Sequence, residues 1–265
     1  MILRCENLTL GYGKADAVVK DLGFGLEKGE LMTLIGPNGS GKSTVLKALA
    51  GAVTPRRGAV YVKETSLTKI KPRDLARIQA FLPQSPKSPD DYTVRDLIGY
   101  GREPHLRWMG RMTEEDWAIV DWAIRITHLD GMQERAVADL SGGERQRAWI
   151  ALALAQKPEI LILDEPTTYL DICYQFEIME LVKKLNEELG ISVIMVLHDL
   201  NQAARYSHRI VALHKGRLAA DGKPENVITP GFMEAVFRIR VRIFEDPVHK
   251  RPYFVPVESL TKISI

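Results

Sequence analysis

The strongest chemical signal in the sequence is a glycine-rich segment that could bind the phosphates of a nucleotide. Residues 36–43 fit the P-loop pattern at every defining position, after a short apolar run and before a helical pattern. Glycines let backbone N–H groups approach phosphate oxygens, and the helix start adds the positive end of its dipole. Lys42 would place a positive charge on the outer phosphates, and the Ser43 hydroxyl could bind Mg²⁺. The candidate nucleotide-binding residues are Gly36, Pro37, Asn38, Gly39, Ser40, Gly41, Lys42, Ser43 and Thr44.

Two carboxylates follow a short apolar run at residues 160–163, which predicts a strand buried on both faces. Asp164 and Glu165 would emerge at the carboxyl end of this strand, where open α/β sheets bind their ligands. Asp164 is placed to hold Mg²⁺ directly or through water, and Glu165 is placed to polarise an attacking water. Alone, the pair would be an ordinary acidic turn; beside a P-loop, it predicts nucleotide hydrolysis.

A second helix start could also bind phosphate. Ser141, Gly142, Gly143 and Glu144 open a predicted helix, with backbone amides that no bulky side chain shields. Because one nucleotide needs only one P-loop, the simplest explanation is that this helix start serves a nucleotide held by another copy of the chain.

The elements that must position these residues follow from the apolar pattern. Strands are predicted at residues 2–10, 31–35, 59–62, 160–163 and 193–197. Helices are predicted after the P-loop, from a Thr113 N-cap, from Ser141 to Ala155, and over residues 171–189. This alternation predicts an α/β fold with a mostly parallel sheet.

Composition narrows the class of protein. Thirty-six Lys and Arg against 34 Asp and Glu leave a net charge of +2 over 265 residues, which gives no strong electrostatic case for nucleic acid or a membrane surface. Two cysteines, Cys5 and Cys173, are too few for a disulfide framework, so a reducing compartment is expected. The apolar runs are far shorter than the roughly 20 residues of a membrane span, and the N-terminus lacks the features of a signal peptide.

Taken together, the motifs resemble the nucleotide-binding subunit of an ATP-binding-cassette (ABC) transporter, and the resemblance covers nearly all of the chain. Residues 140–147 resemble the family's signature sequence, a more specific mark than the P-loop. The resemblance implies further roles. Tyr12 would stack on adenine, and Gln84 would link Mg²⁺ to a helical subdomain. Asp171 would contact the opposing subunit, and His198 would contact the terminal phosphate.

The resemblance also implies the organisation of the fold. It predicts one domain, 1–265, with a P-loop NTPase core, a mostly parallel sheet, an N-terminal antiparallel β part and an inserted helical subdomain. The core would comprise residues 1–85 and 158–265, and the helical subdomain residues 86–157, which carry the signature sequence.

The implied mechanism needs two copies of the chain. Each ATP would lie between one copy's P-loop and residues 141–143 of the other, and Glu165 would orient water, with Mg²⁺, Lys42 and His198 stabilising the developing charge. Two membrane permease subunits would dock near residues 89–108, and a substrate-binding protein would act indirectly. The chain would sit peripherally on the cytoplasmic face of the inner or plasma membrane, with no nucleic acid as partner.

Two segments, residues 100–108 and 166–171, resemble the importer branch for iron–siderophore, haem, cobalamin and some oxyanions such as molybdate. The main alternative is a soluble ABC-type ATPase of DNA repair or chromosome organisation, but the long heptad coiled coil of such proteins is missing from the sequence. A P-loop kinase would leave residues 140–147 without a role, and a two-cassette translation factor would need a second set of motifs.

Two C-terminal features have simple explanations. Arginines at 238, 240 and 242 alternate with apolar residues, which predicts a half-buried strand rather than a phosphate-binding stripe. The tail after Asp246 could be a small regulatory appendage or the strand-rich end of the fold. The scattered histidines show no metal-ligand spacing, so no structural zinc is proposed.

Overall fold

The computed structural model describes residues 1–13, 16–87, 89, 91–106 and 110–260. Its elements in chain order are β1 (Leu3–Leu10), β2 (Val19–Leu26), β3 (Leu31–Ile35), α1 (Lys42–Leu49), β4 (Arg57–Val62), β5 (Thr65–Ser66), α2 (Pro72–Ala76), β6 (Gln79–Leu82), α3 (Val94–Gly99), α4 (Glu114–Ile126), α5 (Gly142–Ala155), β7 (Ile160–Asp164), α6 (Ile172–Leu189), β8 (Ser192–Val196), α7 (Leu200–Tyr206), β9 (Arg209–His214), β10 (Arg217–Gly222), α8 (Pro224–Val227), α9 (Pro230–Phe232), β11 (Ile239–Glu245) and β12 (Pro252–Ser259). Two compact units result: the first comprises Met1–Ser66 and the chain from Ile194 onward, and the second comprises Leu67–Val193.

The first unit contains the P-loop and two kinds of strand pairing. β1 pairs antiparallel with both β2 and β4, which confirms the predicted antiparallel part. β3 pairs in parallel with β9, and β9 pairs antiparallel with β10. Every residue of β3 is buried, as its unbroken apolar run predicts for a strand covered on both faces. The P-loop therefore begins directly after a strand that is buried along its whole length.

The second unit combines a parallel strand pair with three packed helices. β6 and β7 pair from Gln79 opposite Ile160 to Leu82 opposite Leu163. α3, α4 and α5 pack on one another. The predicted N-cap Thr113 is confirmed, and Ser141 is the N-cap of the helix predicted to begin near it. Each forms a capping box with the acidic residue three positions later.

A buried ion pair fastens the helices of the second unit. Arg102 lies in a 3₁₀ turn (Tyr100–His105) and donates from Nε to Asp116 Oδ1 at 2.9 Å. Its Nη1 donates to the carbonyl of Ala155 at 2.6 Å, so one guanidinium joins the turn to the start of α4 and the end of α5. His105, which belongs to the importer-like segment, donates from Nε2 to the carbonyl of Gln156 at 2.9 Å.

The C-terminal tail forms a β-hairpin. β11 and β12 pair antiparallel, with Val241 buried and the arginines at 240 and 242 exposed, which confirms the half-buried strand for these residues. Arg238 precedes the strand, with φ +56°. Asn201 of α7 anchors the hairpin, because its side-chain amide both donates to Phe254 O at 3.2 Å and accepts from Phe254 N at 3.0 Å. The tail is thus the strand-rich end of the first unit.

The division into a core of residues 1–85 and 158–265 and a helical subdomain of residues 86–157 stays a prediction. Within the described ranges, no helix is both long enough and apolar enough to cross a bilayer.

Candidate nucleotide-binding and hydrolysis site

The backbone of the P-loop accepts only glycine at two of its positions. Gly36 has φ +149°, and a Cβ there would lie 2.2 Å from Leu213 O. Gly41 has φ +100°, and a Cβ there would lie 2.6 Å from Val19 Cγ2. Gly41 is also the N-cap residue of α1, and among the described residues no side chain caps this helix start. Its first backbone N–H groups therefore suit an anion.

The lysine of the P-loop folds back over the loop. Lys42 is buried, and its Nζ donates to Gly36 O at 2.8 Å and to Pro37 O at 3.2 Å. The nearby Ser40 is only 3% exposed, and its hydroxyl has no hydrogen-bond partner within the described part of the chain. Leaving a buried hydroxyl without a hydrogen bond costs free energy, so the Ser40 hydroxyl is a donor that a bound phosphate could accept from.

The aromatic candidate lies beside the first turn of α1. Tyr12 is 51% exposed, and its hydroxyl lies 3.3 Å from Thr44 Oγ1. Arg56 holds the Tyr12 loop, because its Nη2 donates to Gly13 O at 2.8 Å and to Tyr12 O at 3.3 Å. The exposed ring is therefore carried on an anchored backbone. Sequence reasoning missed Arg56, which lies 44 residues from Tyr12 in the chain.

The carboxylate candidates stand at the end of β7. Asp164 is its last residue and is 4% exposed; Glu165 follows with φ +56° and is 9% exposed. Gln84 Nε2 donates to Glu165 Oε2. Thr168 Oγ1 donates to the same oxygen at 3.0 Å. The structure thus brings together two sequence-predicted residues, Gln84 and Glu165, and adds Thr168 to them.

The signature segment is organised by its own cap. Ser141 N donates to Glu144 Oε2 at 2.8 Å, and Glu144 N donates to Ser141 Oγ at 3.3 Å. The hydrogen bonds that the Glu144 carboxyl accepts from the Ser141 backbone and side chain lower its pKa. Gly143 is buried, and a Cβ there would lie 2.3 Å from the ring of Tyr174. Packing inside the second unit is therefore a reason for this glycine that the sequence did not reveal.

The remaining candidates lie in exposed segments. Asp171 caps α6 and accepts from Tyr174 N at 3.2 Å, and it lies between the exposed residues Tyr169 and Ile172. His198 is exposed and follows β8, next to the residue that caps α7.

The candidates are divided between the two units. Tyr12, residues 36–44 and His198 belong to the first unit. Gln84, Asp164, Glu165, residues 141–144 and Asp171 belong to the second.

A groove of about 380 Å³ lies in the second unit, in the segment predicted to dock a permease. Tyr92 and Tyr100 line it with rings stacked at 5.2 Å, together with Glu103 and Trp117. The hydrogen bond with Tyr100 raises the pKa of the Tyr92 phenol. Trp108, the end of the predicted docking segment, lies outside the described residues.

Comparison with known proteins identifies relatives along nearly the whole chain. The family model for the ABC transporter matches residues 19–168. The iron(3+)-hydroxamate import ATP-binding protein FhuC of Bacillus subtilis (strain 168) is 46% identical over 250 residues, 94% of this chain and 93% of that protein. The petrobactin import ATP-binding protein FpuC of Bacillus anthracis is 48% identical over 238 residues, 90% of this chain and 87% of that protein.

Solved structures agree with the fold. A metal-chelate type ABC transporter in an inward-facing conformation has a chain 28% identical, with a TM-score of 0.85 and coverage of 97% of this chain and 98% of that one. The dimeric, post-hydrolysis ATP-binding cassette MJ0796, bound to ADP and Pi, is 29% identical, with a TM-score of 0.72 and coverage of 83% of this chain and 98% of that one. These likenesses confirm the predicted fold class, a P-loop NTPase with a mostly parallel sheet and an antiparallel β part.

Proposed function

The chain belongs to the ABC transporter family, and from this premise we propose that it is the ATP-hydrolysing subunit of a multi-subunit importer for a metal chelate. The comparison with relatives favours iron–siderophore as the cargo, because the two relatives named above are import ATP-binding proteins for iron(3+)-hydroxamate and for petrobactin. Haem, cobalamin and oxyanions such as molybdate are further candidates. A DNA-repair or chromosome-organising ATPase finds no support among these relatives.

The observation that carries the hydrolytic role is the Glu165 carboxylate at the end of β7. It is nearly buried and accepts hydrogen bonds from Gln84 and Thr168, so its position is defined before any substrate arrives. Glu165 would orient the attacking water towards the γ-phosphate and accept its proton. Lys42 and His198 would stabilise the charge that develops on the phosphoryl oxygens.

The residues proposed to hold Mg²⁺ fit that ion in their chemistry. Ser43, Asp164 and Gln84 offer hydroxyl, carboxylate and amide oxygens, the hard donors that Mg²⁺ prefers. Gln84 donates to Glu165 through Nε2, so its Oε1 retains the character of an acceptor. When bound with ATP, Mg²⁺ would neutralise phosphate charge.

A second copy of the chain is the proposed partner in the ATP-bound state, in line with the dimeric cassette among the structural neighbours. The capped helix start at residues 141–144 would bind the partner's nucleotide, and exposed Asp171 would contact the partner. Two permease subunits would dock at the Tyr92–Tyr100 groove, and a substrate-binding protein would act through them. In this assembly the chain would lie peripherally, at the cytoplasmic face of the inner or plasma membrane.

ATPase assays on purified variants test the shared hydrolytic site. Glu165→Gln should bind ATP but lose turnover by at least about 100-fold, because the group that polarises water is gone. Ser141→Arg should also be inactive, although its own P-loop is intact. Normal turnover in Glu165→Gln would contradict the role of Glu165, and normal turnover in Ser141→Arg would contradict a nucleotide shared between copies.

Uptake by cells that carry Lys42→Ala in place of the wild-type chain tests the cargo. Cells would be offered ferric siderophores, haem, cobalamin and molybdate separately. We expect uptake of ferric siderophores to fall to background and that of the others to persist. Unchanged uptake of all four would contradict an import role for these cargoes.

A further inference from the structure

We propose that Thr168 is a positioning residue for ATP hydrolysis, whose hydroxyl keeps the Glu165 carboxylate in place during turnover. The inference rests on the proposed function, in which Glu165 orients the attacking water. It concerns a contact inside the second unit, so it does not depend on how a partner binds.

The contact is short and specific. Thr168 Oγ1 donates to Glu165 Oε2 at 3.0 Å, and Gln84 Nε2 donates to the same oxygen. Glu165 is 9% exposed, so water is a poor substitute for these donors. A nearly buried carboxylate therefore depends on such donors for its orientation.

The backbone explains why Thr168 reaches this oxygen. Glu165 has φ +56°, and Thr168 N donates to Glu165 O at 3.3 Å, so the chain turns back immediately after β7. Threonine is branched at Cβ and has a stiff χ1 angle, which limits the positions of its hydroxyl. Tyr169 follows with φ +66°, an uncommon conformation for an aromatic residue, so the turn is strained on both sides of Thr168.

The two donors differ in how they are tied to Glu165. Gln84 follows β6 and lies 81 residues away in the chain, whereas Thr168 lies three residues away in the same turn. A movement of the Gln84 loop that carries Nε2 away from Glu165 would break the first hydrogen bond. Thr168 lies in the same turn as Glu165, so its hydrogen bond would be kept. We therefore expect the Thr168 hydroxyl to contribute most to the orientation of Glu165 when Gln84 no longer donates to that carboxylate.

Steady-state ATPase kinetics of Thr168→Val and Thr168→Ser test this role. Valine keeps the shape and removes the hydroxyl, so kcat should fall about tenfold while KM for ATP stays within about twofold, as expected when orientation and not binding is lost. Serine restores the hydroxyl and should recover kcat to within about threefold of wild type. Thr167→Val makes the same change one residue earlier and should reduce kcat less than Thr168→Val does.

Further measurements separate orientation from a general loss of structure. The Tm of Thr168→Val should stay within about 3 °C of wild type, because a partly exposed hydroxyl contributes little to global stability. The inference is overturned if Thr168→Val keeps wild-type kcat or if Thr168→Ser fails to restore kcat. It is also overturned if KM for ATP rises by the same factor by which kcat falls. Glu165→Gln is assayed in parallel: turnover retained there would remove the proposed role of Glu165 itself, whereas turnover lost there with Thr168→Val unaffected would remove only the role of Thr168.

Discussion

Replacing Gly143 by alanine should destabilise the second unit through a clash with Tyr174, without any nucleotide present. The new Cβ would lie 2.3 Å from Tyr174 Cδ1 and 2.6 Å from Cγ, against an ordinary carbon–carbon contact of about 3.5–4.0 Å. The ring must therefore move by roughly an ångström, and overpacking of this kind costs about 1–3 kcal/mol. Alanine recovers up to about 1 kcal/mol of helix propensity, so the net cost should be about 1–2 kcal/mol.

Thermal unfolding of the nucleotide-free protein measures this cost. A loss of about 1–2 kcal/mol should lower Tm by about 2–8 °C in a chain of this size. Gly142→Ala is the matched control, because its Cβ would meet only the flexible end of Leu170, at 3.3 Å. It should change Tm by less than about 2 °C.

A thermodynamic cycle with Tyr174→Ala decides whether the ring is the cause. Once the ring is removed, Gly143→Ala should become neutral or slightly stabilising. The same destabilisation in both backgrounds would refute the packing explanation. If the double variant regains its expected stability but does not hydrolyse ATP, the glycine is needed at the nucleotide as well.

Three further predictions follow from individual contacts. Asp116→Asn weakens the buried ion pair with Arg102 and should lower the free energy of unfolding by about 2 kcal/mol at pH 7. Burial raises the pKa of Asp116, but hydrogen bonds from the helix cap and from Arg102 lower it more, so this pKa lies below the ordinary 3.8. Its stabilisation is complete above pH 3.8 and is lost as the pH falls through the lowered value, so Tm of wild type should fall more steeply than Tm of Asp116→Asn in that range. Burial raises the pKa of Cys5 to about 12, so iodoacetamide at pH 8 should label exposed Cys173 and leave Cys5 unmodified; mass spectrometry would contradict this by finding two adducts on the folded chain. Arg56→Ala frees the loop that carries Tyr12, so KM for ATP should rise about threefold with kcat unchanged, and a fall in kcat alone would argue against this role.

The parts of the fold that were predictable from sequence are those with a local signal. The apolar run of β3, the glycines after it and the capping residues Thr113 and Ser141 each lie within a few positions of what they specify. The family resemblance supplied the rest of the fold class. Tertiary contacts lack such a signal, since a pattern of residue types does not state which side chains meet across 30 or more positions.

The candidate site divides in the same way. Its residue types were predictable, because P-loop glycines and paired carboxylates are defined by spacing. The residues that support them were not predictable: Thr168 lies in the importer-like segment 166–171, where its residue type indicates no particular role, and no pattern distinguishes Tyr174. Gly143 shows the difference most clearly. The sequence suggested that its small size serves an incoming phosphate, whereas the structure shows that it also accommodates a ring in its own chain.

The hairpin at the C-terminus has a closed outer edge. Phe254 turns its backbone N–H and C=O away from β11, where the Asn201 amide already occupies both. Pro252 and Pro256 stand two positions to either side on the same edge and have no N–H to donate. An intruding strand would find no continuous ladder there, so β12 resists edge-to-edge aggregation although apolar side chains such as Tyr253 are exposed. A partner that approaches this edge of β12 would therefore depend mainly on side chains, because Pro252 and Pro256 offer only their carbonyl oxygens.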